Sequence, residues 1–224
     1  MIERETPSYR IGNAGALQTR TLKDHPGTHS ARTGEVVKTL ESLLEQSRII
    51  PAVRAPEFLS KATAASSKIV YLLCGTPENI GEMAGQVIAC GKVPIVNLDL
   101  ISGFARDAAA IEFMSHRGIR GIISTHQVPL RAARSLGLFA IQRTFLLDSA
   151  ALQSSLRSIE QTRLNAIEVL PAIVAPYLVR ELNREHSKLP IIAGGLVQSL
   201  RQIQDLIDQG VNSVSVGNPD YWLV

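Results

Sequence analysis

Apolar residues in this chain gather into short continuous runs, and the stretches between the runs repeat apolar positions every three or four residues. From Arg48 onward the runs are Ile49 to Val53, Ile69 to Leu73, Pro94 to Leu98, Gly121 to Ser124, Phe139 to Gln142, Ala166 to Leu170, Pro190 to Ala193 and Ser213 to Val216. They start at intervals of roughly 17 to 28 residues, the spacing of strands alternating with helices. Strands without polar alternation belong in a sheet buried on both faces, and repeated strand-helix units make that sheet parallel. Between the runs, Ile80, Met83, Ala84, Val87 and Ile88 share one helix face ahead of a Gly91 stop, while Gly118, Gly137 and Gly210 end other helices. Eight such units predict a single closed parallel (β/α)8 barrel of the TIM type rather than an open doubly wound sheet. Only Pro219 to Val224 follow the eighth run, so the last helix is expected to be truncated.

Upstream, Thr33 can cap a helix whose Val36, Val37, Leu40, Leu43 and Leu44 fall on one face, placed to cover either the barrel seam or its floor. Met1 to Ala31 carry Pro7, Gly12, Gly15, Pro26 and Gly27 and hold no period. The expected organisation is a flexible extension over 1–32 and a barrel with a leading helix over 33–224.

Composition narrows this picture. A chain of 224 residues that is 45% hydrophobic suits one fully cored domain. Cys74 and Cys90 lack metal-like spacing and suit a reducing cytoplasm, as core residues rather than zinc ligands. No apolar run reaches membrane-spanning length and no secretory h-region opens the chain, so a cytoplasmic protein without a membrane partner is expected. A formal charge of +3 and a pI near 9.0 permit phosphorylated ligands or nucleic acid. Aromatic content of 4% argues against a base-stacking platform.

In such barrels function gathers where strands end. The seventh and eighth runs close in Gly194, Gly195 and in Gly217, Asn218, where backbone N–H groups can approach an anion closely. A helix is expected to start behind each turn, with Asn218 as N-cap and Pro219 in the first turn. These four residues form a candidate phosphate cradle. The other ends offer Asn97 and Asp99, then Ser124, Thr125 and His126, then Gln142 and Arg143, then Glu168. Arg143 can grip a phosphate or carboxylate with its planar fork, or be tied to Asp148 or Glu168 for structural reasons. Asp99 and Glu168 can act as base and acid, or simply accept hydrogen bonds from ligand hydroxyls. Lys68, Lys92 and Lys188 precede strands and Lys61 lies in a helix, so a Schiff-base aldolase lacks its lysine at the mouth. The two mouth carboxylates lack the companions of a metal site, and neither metal nor cofactor is expected.

Several strings together resemble a known family: Asp99-Leu100-Ile101 with Gly103, Gly121-Ile122-Ile123-Ser124-Thr125, Ala140-Ile141-Gln142-Arg143-Thr144-Phe145-Leu146-Leu147-Asp148-Ser149, Ile167-Glu168-Val169-Leu170-Pro171 and Ile191-Ile192-Ala193-Gly194-Gly195. In this order they are similar to the glycerol-3-phosphate-responsive antiterminators of the glycerol uptake operon, from about Ile49 to the C-terminus. The resemblance implies a barrel without catalysis that binds glycerol 3-phosphate as effector. It also implies action on the leader of a messenger RNA to prevent premature termination of transcription. On that analogy Gly194, Gly195, Gly217 and Asn218 hold the phosphate while Arg143, Asp99 and Glu168 line the mouth. The chain departs from the family pattern at His126-Gln127, where a basic residue is expected, and in carrying about fifty residues before the first strand.

Two alternatives stay open: a phosphosugar isomerase or lyase using Glu168 or Asp99 as base, and a metabolite sensor that contacts a protein instead of RNA. For RNA, the candidate contacts are Arg131 with Arg134 and Arg117 with Arg120, and Arg180 with Arg184 forms a further pair.

Overall fold

The apolar runs pair with one another in chain order. A computed structural model describes residues 39–223 apart from His186, and in it eight parallel strands close into a barrel. They are β1 (Ile49–Val53), β2 (Ile69–Leu72), β3 (Val93–Asn97), β4 (Gly121–Ser124), β5 (Phe139–Phe145), β6 (Ala166–Leu170), β7 (Ile191–Gly194) and β8 (Ser213–Val216). The seam closes where β8 lies against β1, with Ile49, Ile50 and Pro51 in register with Val214, Ser215 and Val216.

Helices α1 (Leu40–Glu45), α2 (Leu59–Ala64), α3 (Ile80–Ala89), α4 (Ala108–His116), α5 (Gln127–Ser135), α6 (Ser149–Thr162), α7 (Ala175–Arg184) and α8 (Leu200–Asp208) complete the described elements, with three short 3-10 turns. Four of them start on a side chain that accepts a first-turn N–H: Thr39, Asp107, Asp148 and Ser199. Such a cap is worth about 1 kcal/mol. Gly91, Gly118, Gly137 and Gly210 follow helix ends with positive φ, as expected, but α6 ends on Arg163 at φ 50°.

The strands separate two cores. Their outward side chains, among them Val70, Val96, Ile122, Ala140, Val169 and Val214, pack with the helices. Inward ones, including Ile50, Ile69, Ile95, Ile123, Ile141 and Ile192, fill the barrel, and Leu40, Leu43 and Leu44 of α1 join that inner cluster. Helix α1 therefore covers the floor rather than the seam, and Ser213 Oγ donates to the Leu44 carbonyl at 3.3 Å. Each leucine so buried contributes about 1.5–3 kcal/mol relative to exposure. The helix starts at Leu40 on its Thr39 cap. Thr33, Val36, Val37 and the expected flexible extension 1–32 lie outside the described residues.

Three expectations need correction. Strand β5 continues past Gln142 to Phe145, because Arg143 has a partner inside the barrel and its polarity does not end the strand. Cys90 is exposed at the end of α3, and Cys74 is only partly buried against the outer core. Ile88 is 44% exposed on α3, although Ile80, Met83, Ala84 and Val87 are buried as the periodicity requires.

Candidate ligand-binding site

The mouth of the barrel is built around a buried ion pair. Arg143 of β5 and Glu168 of β6 are in register, and both side chains turn inward. Arg143 Nε donates to Glu168 Oε2 at 2.7 Å, with the carboxylate side chain 1% exposed and the arginine 11%. The other carboxylate oxygen accepts from Ser215 Oγ of β8 at 2.7 Å. A Cβ on Gly194 would fall 2.5 Å from Ser215 Oγ and 3.2 Å from Glu168 Oε1, so the glycine makes room for this contact. Tyr71 of β2 is fully buried beside the pair. Burial and then the Glu168 charge push its pKa well above the ordinary value, against the opposing effect of Arg143. Its hydroxyl and the Nδ2 of Asn97 are buried with no partner among the described residues.

A second cluster holds Asp99 beyond β3. Oδ1 accepts from Ser124 Oγ at 2.8 Å and Arg106 Nε at 3.3 Å, and Oδ2 accepts from Thr125 N at 2.6 Å and Thr125 Oγ1 at 2.9 Å. His126 Nδ1 stands 3.4 Å away. Burial raises the Asp99 pKa, but the Thr125 N–H, the Ser124 and Thr125 hydroxyls and His126 outweigh it and hold the carboxyl below its usual value. Asp99 thus accepts four hydrogen bonds, two on each oxygen, whereas Glu168 accepts one on each oxygen and is held by Arg143 and Ser215.

The candidate phosphate cradle lies at the ends of β7 and β8. Gly195 has φ 77°, a conformation that favours glycine. Among the described residues no protein acceptor takes the N–H of Gly195, Gly217 or Asn218. Asn218 caps the turn Pro219–Tyr221 by accepting from Asp220 N at 3.0 Å, as its place before proline suggested. The expected helices directly behind both glycine turns are absent from these places. After β7 the chain runs on to a Ser199 cap before α8, and after β8 there is only the three-residue turn. What these strand ends offer an anion is therefore individual backbone N–H groups rather than helix ends.

The sequence reading missed Arg54, the residue after β1. A Cβ on Gly217 would meet Arg54 Nε at 3.1 Å, which places this arginine directly over the strand end. Its signal was available: it is the first charge after an apolar run, on the strand that a closed barrel sets beside β8. Gln142, in contrast, does not face the mouth. It turns outward, where its Oε1 accepts from Ser158 Oγ of α6, which also accepts from Gln127 Nε2 at 3.0 Å. Asp148 is spent on capping α6 through Ala151 N at 2.7 Å.

Three of the four candidate RNA arginines have side-chain partners in the protein. Arg117 lies 3.7 Å over the Phe113 ring, Arg131 donates to Gln127 Oε1 at 2.7 Å, and Arg134 donates to Asn165 Oδ1 at 2.9 Å. Arg120 sits at the foot of β4 with its backbone held by Pro94 and Phe139. Arg180 lies 5.5 Å over Tyr177, and Arg184 pairs with Glu181 at 2.6 Å. Among the described residues no group of three or more His, Cys, Asp or Glu could hold a metal ion, and no helix is long and apolar enough to cross a membrane.

Residues 49–222, the whole barrel from β1 to the final turn, match the family described as glycerol-3-phosphate responsive antiterminator. The chain belongs to this family. It is 31% identical over 183 residues to the uncharacterized protein YgcP of Escherichia coli (strain K12), covering 80% of this chain and 94% of that one. A glycerol uptake operon antiterminator regulatory protein from Listeria monocytogenes str. 4b F2365 superposes with TM-score 0.72 at 29% identity, covering 79% of this chain and 95% of that structure. A glycerol uptake operon antiterminator-related protein from Thermotoga maritima MSB8 gives 0.71 at 26% identity, with 79% and 98% covered. The antiterminator relatives thus share the barrel and leave residues 1–48 outside the family match.

Proposed function

We propose that this antiterminator binds glycerol 3-phosphate at the C-terminal mouth of its barrel, and that the liganded form acts on leader mRNA of a glycerol utilisation operon to prevent premature termination in the cytoplasm. The observation that carries the reading is the set of unengaged N–H groups of Gly195, Gly217 and Asn218 in a chain of a glycerol-3-phosphate responsive family. Gly194 contributes space rather than a hydrogen bond. Asp99, Arg143 and Glu168 line the mouth, and Arg143 and Glu168 act on the ligand chiefly by fixing its shape.

The same reading makes the site one of binding without turnover. Asp99 and Glu168, the candidate bases of an isomerase or lyase, already accept hydrogen bonds on both oxygens. Titration calorimetry of glycerol 3-phosphate tests the ligand. NMR of glycerol 3-phosphate, glyceraldehyde 3-phosphate and dihydroxyacetone phosphate incubated with the protein tests turnover, and no new species is expected. Sustained conversion by wild type, abolished in a Glu168→Gln protein that circular dichroism shows to be folded, contradicts it.

A further inference from the structure

Among the described residues, Arg54 is the arginine at the mouth whose charge no carboxylate answers. It follows β1, the strand hydrogen-bonded to β8, and its side chain lies across the end of that neighbour. Where a Gly217 Cβ would stand, Arg54 Nε is 3.1 Å away, Cδ 3.5 Å and Cζ 3.7 Å. The residue is exposed, and among the described residues it has no ion-pair partner. Asp220, the acid on the adjoining turn, is bonded to Lys61 at 3.2 Å. Arg143 is held by Glu168 instead.

We propose that Arg54 is the charge partner of the ligand's phosphate, holding it against the free N–H groups of Gly217 and Asn218. The inference rests on the mouth being the effector site. A guanidinium presents donors in a planar fork, and at the same strand end the backbone N–H groups of Gly217 and Asn218 have no protein acceptor among the described residues. An independent sign that the mouth is built for a polar guest lies in the barrel below, where the Tyr71 hydroxyl and Asn97 Nδ2 are buried and unpartnered. The ligand class is a small phosphate monoester, whose dianion suits a fork-shaped cation better than a neutral polyol does.

The test is calorimetry with glycerol 3-phosphate and glycerol on wild type, Arg54→Ala, Arg54→Lys and Gly195→Asp, at two salt concentrations. Arg54→Ala is expected to weaken glycerol 3-phosphate roughly ten- to 150-fold, the range for a hydrogen bond to a charged group. Arg54→Lys should recover part of the loss, because a point charge remains without the fork. The affinity of Arg54→Ala should depend less on salt, and its unliganded melting temperature should equal that of wild type, since Arg54 is exposed. Affinity within twofold of wild type in Arg54→Ala, with binding lost in Gly195→Asp, overturns the role of Arg54 and leaves the mouth as the site. No binding by wild type, or equal binding by Gly195→Asp, overturns the mouth reading and this inference together.

Discussion

Arg143 and Glu168 occupy paired positions on β5 and β6, and the 2.7 Å contact between them is the central polar interaction of the barrel mouth. Parallel strands set the two side chains next to each other on the inner face, so the pairing follows from register. Burial of both charges gives the contact its weight, because removing one partner leaves the other uncompensated.

Glu168→Gln is therefore expected to be strongly destabilising. Its amide can still accept from Ser215, but its NH2 group would face a guanidinium that has lost its counter-charge. Loss of one partner of a buried pair costs about 3–5 kcal/mol, and the slight exposure of Arg143 points to the lower end. Urea unfolding should show this drop. An Arg143→Met, Glu168→Met double variant should lose less than the sum of the single substitutions. Additive losses would show that the pair is not coupled.

Gly194→Ala tests how tightly the polar core is packed. The added methyl group would meet Ser215 Oγ at 2.5 Å and push it from Glu168. Overpacking of this kind costs about 1–3 kcal/mol. Adding Ser215→Ala should recover part of the loss by removing the clashing oxygen. Thermal unfolding of the two single variants and the double variant decides, and no recovery would place the strain elsewhere.

Asp99 gives a pH signature. Its folded pKa is depressed, so the stability it contributes is present above the unfolded value of about 3.9 and is lost as pH falls through the folded value. The stability difference between wild type and Asp99→Asn should stay constant near neutral pH and shrink as the solution is acidified below about pH 4. Measured stability curves for both proteins check the sign. A difference that grows on acidification would contradict the assigned bonds from Thr125 and Ser124 and the attraction of His126.

The barrel was legible because nearly every strand is an apolar run buried on both faces, β5 being the exception, and the strand-helix spacing does not vary enough to hide the repeat. Register was not legible. Arg143 was placed just past a strand ending at Gln142, yet Glu168 on the next strand satisfies it inside the barrel. Gln142 looked like a mouth residue because the fifth run was taken to end there, but the strand continues and neighbours on one strand point to opposite faces. Arg54 was passed over because its one mark in the sequence, a charge just after an apolar run, gains meaning only from the strand beside it. Its place beside Gly217 exists only once β1 meets β8. The Asp99 cluster was half visible: Ser124 and Thr125 were named as strand ends, but their grip on Asp99 joins residues 25 and 26 positions apart.

If RNA is bound better by the liganded state, the two binding events are linked and the coupling is equal in both directions. Glycerol 3-phosphate should then tighten binding to leader RNA by roughly fivefold to 150-fold. RNA affinity should fall with salt, with a log-log slope of about −0.7 per single-strand phosphate neutralised. Gel-shift titrations with and without ligand, at several salt concentrations, measure both. Ligand-independent affinity would contradict gating, and absence of RNA binding at low salt would favour a protein partner.

The most direct measurement is the position of the ligand itself, in a crystal structure of the protein grown with saturating glycerol 3-phosphate. The expected result is a phosphate at the ends of β7 and β8, within hydrogen-bond reach of the Gly195, Gly217 and Asn218 N–H groups and of the Arg54 guanidinium, with the Arg143–Glu168 pair intact beneath it. A phosphate bound anywhere else on the barrel, or a mouth left without ligand, would contradict it.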